Sequence, residues 1–326
     1  MKTIVMLMPH FGQWPEWINI YMETCRYNPT VDWIFFTDCG RTENHPGNVR
    51  FLDMSYRDFL HLASRKLEVD LPESSLRKLC DFRPMYGVIF EEYLQGYDYF
   101  GFGDVDVVYG EIRKFVSDRL LEDHDILSFH SGMISGHFAL LRCSEPVKQL
   151  FRKMEEWASR LQDPRHLRMD EDAFSEIVHL VRTSEVEMFS TPSLFRKWKD
   201  GTWNFPTQWY WHEGRITNDR DDAEYLYFHF LYWKGDANPW GWRDRLPPGQ
   251  VVHGDWRHAP AGWRIDADGF RPLDRWPVEI SAGKRWWRSV WSRLRFERAW
   301  LRLKAEGILK CIRRSGLWFQ AGRRTD

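Results

Sequence analysis

Residues 100–110 read Phe-Gly-Phe-Gly-Asp-Val-Asp-Val-Val-Tyr-Gly, an apolar run that carries two carboxylates one residue apart. The composition predicts a buried strand that ends in a turn. Asp104 and Asp106 share one side of an extended backbone, because side chains alternate along a strand. Two acids buried so close together are unfavourable without a cation, and a hard divalent ion is the usual partner. The stretch therefore predicts a metal site, and the metal is expected to bind a diphosphate.

The segments around this stretch predict an α/β fold. Strand and helix patterns alternate from the first residues, which favours a parallel sheet flanked by helices. Ligands bind at the carboxyl ends of strands in such sheets, so Pro9, His10 and Asp38 are expected to face a ligand. No Gly-x-Gly-x-x-Gly follows the first strand, which argues against a dinucleotide fold. The predicted strands are 3–8, 32–38, 49–52, 125–129, 138–142 and 224–233, and the predicted helices are 14–27, 55–67, 76–94, 145–161 and 170–180.

The composition is that of a globular protein. The 326 residues are 43% hydrophobic and 29% charged. No run of 18 apolar residues predicts a membrane span, and the first apolar residues resemble a strand more than a signal peptide. The five cysteines are scattered and show no metal-binding or disulfide spacing. A reducing cytosol is the expected compartment.

The C-terminal segment 284–326 differs from the rest of the chain. It contains 13 Lys/Arg and 3 Asp/Glu, a net charge of +10 within a chain of net charge −1. Tryptophan and leucine recur in it at near-helical spacing, which predicts a basic amphipathic helix on an anionic membrane surface. The alternative is a terminal helix packed on the protein with a solvated face. Nucleic acid is not expected as a partner, since no recognition motif accompanies the charge.

Four further segments carry candidate site residues, each with a structural alternative. Lys78, Asp81 and Arg83 precede a predicted helix start at a proline, where anions are favoured; otherwise they form a solvated charged face. Residues 132–137 form a Gly/Ser loop that lets a substrate approach the backbone, or an ordinary strand connection. The acids 170–172 suit the first turn of a helix, or supply a base. The histidine within the aromatic run 224–233 is a core residue or a metal ligand.

The early strand–helix–strand unit, Asp104-Val105-Asp106 and the late His229 together resemble GT-A glycosyltransferases, which use nucleotide-diphosphate sugars. His229-Phe-Leu-Tyr-Trp-Lys234-Gly235 resembles the His-Phe-x-Gly-x-x-Lys-Pro-Trp ending of glycogenin-like and galactosyltransferase enzymes. It departs from that ending: the first glycine is absent, Lys234 comes one position early, and no Pro-Trp follows directly. This ending favours a retaining enzyme.

A bacterial family of uncharacterised or polysaccharide-biosynthetic proteins resembles the chain more closely. Its members carry Lys-x-x-Asp-Phe-[Arg/Lys]-Pro, then Gly-x-Gly-Asp-x-Asp-x-x-Tyr-Gly, then Ser-Gly-His-Phe. All three motifs occur here in this order, at 78–84, 101–110 and 135–138. The resemblance covers about residues 1–240.

The resemblance implies a role for each candidate. Asp104, Asp106 and His229 would hold Mn²⁺ or Mg²⁺, which would bridge the phosphates of a UDP-sugar. The residues expected to bind the donor are Pro9, His10, Phe11, Asp38, Lys78, Asp81, Arg83, Asp104 and Lys234. Those expected to line the sugar and acceptor pocket are Ser135, Gly136 and His137. The candidate bases are Asp170, Glu171 and Asp172.

The resemblance implies a GT-A (Rossmann-like) α/β fold with a mixed, mostly parallel sheet flanked by helices. These expectations combine into one predicted function. The chain is expected to be a cytoplasmic GT-A hexosyltransferase at the inner face of the plasma membrane, moving galactose or glucose to a glycan or lipid-linked acceptor in O-antigen, capsule or lipopolysaccharide synthesis. The expected regions are a catalytic domain (1–240), a Trp/Gly/Pro-rich extension packed on it (241–283) and the basic helical tail (284–326). The alternatives are a metal-dependent phosphoesterase or nucleotidyltransferase, and a non-catalytic carbohydrate-binding protein whose tryptophans in 198–263 form the binding surface.

Overall fold

The structure is a computed structural model of the chain. The predictions for Lys234, for the tail 284–326 and for most of the region 230–261 fall outside the described residues. The residues that the structure describes are 1–129, 133–180, 188–190, 209–218, 224–229, 252–253, 257, 262–266 and 269–273.

A seven-stranded sheet forms the centre of the fold. The first eight strands are β1 (Ile4–Pro9), β2 (Val31–Thr37), β3 (Val49–Asp53), β4 (Tyr99–Gly103), β5 (Val107–Tyr109), β6 (Ile126–Ser128), β7 (Phe138–Arg142) and β8 (Met188–Ser190). All but β5 join the sheet, in the order β3-β2-β1-β4-β7-β6-β8. Only β7 runs antiparallel to its neighbours, β4 and β6. The predicted mixed, mostly parallel α/β sheet is confirmed.

Helices cover both faces of this sheet. The α-helices are α1 (Ile18–Arg26), α2 (Tyr56–Leu67), α3 (Tyr86–Ile89), α4 (Ile112–Phe115), α5 (Asp118–Asp123), α6 (Glu145–Lys148), α7 (Trp157–Gln162) and α8 (Phe174–Leu180). Short 3₁₀ segments occur at Leu76–Met85, Glu91–Tyr93 and Leu150–Lys153, and a π-helical turn at Met169–Ala173 precedes α8. None of the helices in the described ranges is long and apolar enough to cross a membrane.

The first strand shows why both faces need a cover. Ile4, Met6 and Met8 belong to the hydrophobic cluster that includes α1, whereas Val5 and Leu7 belong to the cluster that includes α2. Successive side chains of a strand point to opposite faces, so a strand that is apolar at every position must be buried on both sides.

Two predicted helices are broken in the structure. The segment 76–94 is 3₁₀ helix over Leu76–Met85, with Pro84 inside it, and α-helix only over Tyr86–Ile89. Pro84 has no N–H to donate, so a continuous α-helical ladder would lose a hydrogen bond at this position. The segment 145–161 divides into α6, a 3₁₀ turn and α7, because Met154 is extended and Glu156 has a φ of +51°. The break brings the rings of Phe151 and Trp157 edge to face, with centroids 5.1 Å apart.

The C-terminal half contributes a second, five-stranded sheet. Its order is β10-β9-β13-β14-β12, and β11 pairs separately with β5. Trp209, Trp211 and Trp263 from this half are buried in the same cluster as α1. These three tryptophans therefore pack the core and offer no exposed sugar-binding surface. The strands are β9 (Trp209–His212), β10 (Arg215–Asn218), β11 (Tyr227–His229), β12 (Val252–His253), β13 (Trp263–Asp266) and β14 (Gly269–Pro272).

A buried asparagine fixes the chain just after β5, and its removal is expected to destabilise the fold. The Asn28 amide donates to the carbonyl oxygens of Thr24 and Gly110 and accepts the Ile112 N–H. Asn28→Ala leaves these buried groups unsatisfied and should lower the free energy of unfolding by about 2–4 kcal/mol. Urea denaturation measures this loss, and Gln95→Ala at an exposed position should change stability by less than about 0.5 kcal/mol. Equal small effects would contradict the anchoring role.

Candidate functional site

Three side chains with metal-ligand chemistry converge where β4 ends. Asp104, Asp106 and His229 each offer one donor atom, and these atoms lie within 4.8 Å of one another. His229 Nε2 is 3.3 Å from Asp106 Oδ2 and 3.9 Å from Asp104 Oδ2. Asp106 is fully buried, whereas 25% of the Asp104 side chain is exposed, so the cluster opens to solvent on the Asp104 side.

A turn brings the two aspartates together. The sequence predicts one extended stretch, but β4 ends at Gly103 and β5 begins at Val107, so both acids lie between strands. β11 pairs antiparallel with β5 and sets His229 opposite Val107. The third donor therefore comes from a strand more than 100 residues along the chain from the turn.

Two glycines allow the backbone to pack tightly around this turn. A Cβ on Gly103 would lie 2.9 Å from the His137 carbonyl oxygen, and a Cβ on Gly110 would lie 2.5 Å from the Tyr225 carbonyl oxygen. Any larger residue at either position would have to displace backbone, which explains the glycines that frame the two acids.

Arg83 joins the aspartate turn to the acidic segment 170–172. Its guanidinium is almost buried, donates to Asp170 Oδ2 at 2.8 Å and pairs with Asp104 Oδ1. Burial opposes the charged form, but the carboxylates of Asp104 and Asp170 help hold the pKa of Arg83 well above its ordinary value. Arg83 therefore stays cationic and occupies one oxygen of Asp104, while the other oxygen faces His229.

Gly136 lies directly over this ion pair. A Cβ at this position would lie 2.7 Å from Arg83 Nη1, 2.9 Å from Asp170 Oδ2 and 3.1 Å from Glu171 Oε1. The glycine thus lets the loop before β7 approach a charged cluster that a side chain would disrupt.

The three candidate bases differ in their surroundings. Asp170 has 2% of its side chain exposed and is bonded to Arg83, whereas Asp172 is 58% exposed and lies beside Arg168. Glu171 is intermediate, with 27% of its side chain exposed. Burial raises the pKa of Glu171, and the Asp170 charge raises it further. Burial also raises the pKa of Asp170, which Arg83 opposes.

Lys78 and Asp81 form a buried structural network below this cluster. Lys78 Nζ is 3.0 Å from Asp81 Oδ2 and donates to the carbonyl oxygens of Arg160 and Arg165. Asp81 accepts the N–H groups of Leu167 and Met169. The pair therefore anchors the segment that leads to Asp170. Asp81, His166 and Asp170 also lie within ligand distance of one another, but Lys78 and Arg83 already balance both carboxylates.

The loops after β1 and β2 meet beside the site, at the same edge of the sheet. The Gly12 N–H donates to Asp38 Oδ1 at 2.7 Å, and the His10 ring stacks on Trp14 with centroids 4.8 Å apart. Pro9 is the last residue of β1, and Phe11 is buried beside Phe59 and faces the core. His10, Trp14 and Asp38 thus place polar and aromatic groups at this edge.

The loop residues 135 and 137 make mainly internal contacts. The Ser135 hydroxyl accepts the Phe129 N–H and donates to the Phe138 carbonyl oxygen. The His137 ring stacks on the His229 ring, and its Nε2 is 2.8 Å from the Tyr227 hydroxyl. Gly136 borders the ion pair of Arg83 with Asp170, and His137 contacts Asp104 and His229.

Two contacts at the site are made by residues that belong to none of the sequence motifs. The Trp17 indole N–H donates to the carbonyl oxygen of Val105, the residue between the two aspartates. Tyr227 reaches His137 from β11. Both residues were predicted only as apolar members of a helix or strand, because their partners are distant in sequence.

A family model described as "Family of unknown function (DUF6625)" matches residues 6–238. The chain belongs to this family. The three motif segments 78–84, 101–110 and 135–138, and His229, lie inside the matched range. No curated protein matches the chain significantly.

Several solved glycosyltransferase structures are similar to the chain at low identity. An active-site mutant of LgtC is 11% identical, with a TM-score of 0.35 over 73% of this chain and 92% of its own. GlyE of Streptococcus pneumoniae is 9% identical, with a TM-score of 0.35, and the match covers 63% of this chain and 48% of the GlyE chain. A glycosyltransferase involved in glycosylation of the major capsid of PBCV-1 is 12% identical, with a TM-score of 0.34. The match covers 59% of this chain and 84% of that glycosyltransferase. At such TM-scores, function has to be inferred from the site itself.

The Lys78–Asp81 pair yields a stability prediction. Asp81→Asn leaves the buried Lys78 ammonium without its counter-charge and should destabilise the protein by about 3–5 kcal/mol. Glu73→Gln breaks an exposed pair with Arg57, whose side chains are 80% and 73% exposed, and should cost less than about 1 kcal/mol. Chemical denaturation compares the two variants, and similar losses would contradict a structural role for the buried pair.

Proposed function

We propose that this protein is a metal-dependent glycosyltransferase that moves a hexose from a UDP-sugar to a glycan acceptor. The observation that carries the proposal is the convergence of Asp104, Asp106 and His229 at the carboxyl edge of a mostly parallel sheet. That edge is where α/β sheets bind their ligands.

The donor atoms suit Mn²⁺ or Mg²⁺. Carboxylate oxygens are the ligands that hard divalent cations prefer, and an imidazole nitrogen is a good additional ligand for manganese. Asp106 Oδ2, Asp104 Oδ2 and His229 Nε2 face one another, and a bound cation would offset the cost of burying Asp106. When bound, such an ion would stabilise negative charge on the departing nucleoside diphosphate.

The loops after β1 and β2 are proposed to bind the nucleoside. The stacked pair His10–Trp14 offers an aromatic surface for a nucleobase, and Asp38 offers a carboxylate for ribose hydroxyls. The two loops follow β1 and β2, and β1 lies between β2 and β4 in the sheet. Base, ribose and phosphates would therefore lie in sequence along one edge.

The charged cluster under Gly136 is proposed to bind the sugar. Arg83 would donate to sugar hydroxyls while it holds Asp104 and Asp170 in place. Glu171 is the proposed acceptor-side carboxylate, because it is partly exposed and its raised pKa favours proton uptake. The glycogenin-like ending supports retention at the anomeric carbon, and the product's configuration by NMR checks this.

Nucleotide binding and product analysis test the proposal together. We expect UDP to bind in calorimetry with Mn²⁺ and much more weakly in EDTA. Asp106→Asn should abolish the manganese effect, since loss of a direct ligand costs more than the 10–100-fold typical of an outer-shell partner. Asp123→Asn, at a 60% exposed side chain, is the matched control and should bind as the parent does.

Incubation with UDP-galactose or UDP-glucose separates the alternatives. Release of UDP with transfer or hydrolysis of the sugar supports the proposal. Release of UMP or inorganic phosphate would indicate a phosphoesterase or nucleotidyltransferase, and metal-independent sugar binding without turnover would indicate a binding protein.

The acceptor is proposed to be a lipid-linked glycan of bacterial surface polysaccharide, such as O-antigen, capsule or lipopolysaccharide, at the inner membrane face. Support comes from the net charge of +10 in residues 284–326, since each basic residue near an anionic membrane adds about 1 kcal/mol of attraction. These residues form the third of three proposed regions, after a catalytic domain (1–240) and an extension (241–283).

Deletion of residues 284–326 should weaken sedimentation with anionic vesicles and leave Mn²⁺-dependent UDP binding unchanged. The control is neutral vesicles, to which both forms should bind weakly. If the truncated and full-length proteins sediment equally with anionic vesicles, the tail does not bind the membrane.

A further inference from the structure

We propose that His137 is a positioning residue that fixes the imidazole of His229 for metal binding. This inference rests on the proposed function, because it assumes that His229 is a metal ligand. It assigns His137 of the Ser-Gly-His-Phe motif to the metal centre, whereas the motif alone predicts contact with the sugar or acceptor.

The rings of His137 and His229 pack against each other. The imidazoles of His137 and His229 are nearly parallel, with an interplanar angle of 18° and centroids 4.3 Å apart. Both residues are almost fully buried. His229 can therefore rotate about its side-chain bonds only by breaking this stack.

Among the described residues, the His229 ring lacks the hydrogen bond that usually fixes a metal-binding imidazole. A metal-binding histidine usually donates its other N–H to a carboxylate or carbonyl oxygen, which fixes the ring. His229 Nδ1 is buried and has no hydrogen-bond partner in the part of the chain that the structure describes. The stack on His137 takes the place of that bond.

His137 is itself held in place by Tyr227. Its Nε2 lies 2.8 Å from the hydroxyl of Tyr227, two residues before His229 on β11. The contact ties the orientation of the His137 ring to the strand that carries His229.

His137 also contacts the turn that carries Asp104 and Asp106. Its carbonyl oxygen accepts the Asp104 N–H at 3.2 Å. One residue thus supports two of the three proposed ligands, through its backbone for Asp104 and through its ring for His229. Substitutions of the side chain leave the first contact intact and test the second alone.

The test measures manganese binding to the full chain without any turnover. Mn²⁺ titration followed by EPR gives the affinity, and electron spin-echo modulation reports the ¹⁴N coupling of a metal-bound imidazole. The variants are His137→Ala, which removes the ring, His137→Phe, which keeps a stacking ring, and Tyr227→Phe, which removes only the hydroxyl. His229→Asn is the control that removes the proposed ligand.

We expect His137→Ala to weaken Mn²⁺ binding about tenfold or more and to reduce the ¹⁴N signal, as loss of an outer-shell partner does. His137→Phe should recover most of both, and Tyr227→Phe should show a smaller loss. Rescue by phenylalanine separates positioning from general destabilisation, and unfolding midpoints in EDTA identify a variant that fails to fold.

Two outcomes would overturn the inference in different ways. If the parent binds Mn²⁺ with a ¹⁴N signal that His229→Asn removes, but His137→Ala and His137→Phe both retain it at parental affinity, His137 does not position the ligand. If the parent shows no Mn²⁺ binding, the proposed function fails and the inference falls with it.

Discussion

The burial of Asp106 beside Asp104 and His229 is the constraint on which the site depends. A carboxylate that is removed from water needs compensating charge or hydrogen bonds, and the fold concentrates such groups around one turn. Glycines at 103 and 110 bring the neighbouring backbone close, while β11 supplies an imidazole from a distant part of the chain. If the site holds a divalent cation as proposed, the bound ion would offset the cost of burying Asp106.

The rest of the site is tied to this turn through Arg83. Its two ion pairs join Asp104 to Asp170, so the proposed donor side and the proposed acceptor side of the cluster share the Arg83 guanidinium. The buried pair Lys78–Asp81, on the same 3₁₀ segment, holds the backbone that leads to Asp170. The stretch 78–84 therefore has two tasks: Lys78 and Asp81 stabilise the structure, and Arg83 reaches the site.

The sequence predicts the parts of this protein that depend on local pattern. The continuous apolar run of β1 predicts a buried strand, and Asp104-Val105-Asp106 with His229 predicts the cluster that the structure brings together. It does not predict the break between α6 and α7, or the contacts of Lys78 with residues 82 and 87 positions away. Nor does it predict that Gly136 lies over Arg83. These features arise from long-range packing, which leaves no periodic signal in a single sequence.

The most direct test of the metal-bridged donor site is a crystal structure with Mn²⁺ and UDP, with data collected at the manganese absorption edge. We predict one anomalous peak within about 2–2.5 Å of Asp106 and His229 side-chain atoms, in contact with the UDP phosphates. A peak elsewhere, or UDP bound with no manganese at Asp104, Asp106 and His229, would contradict it.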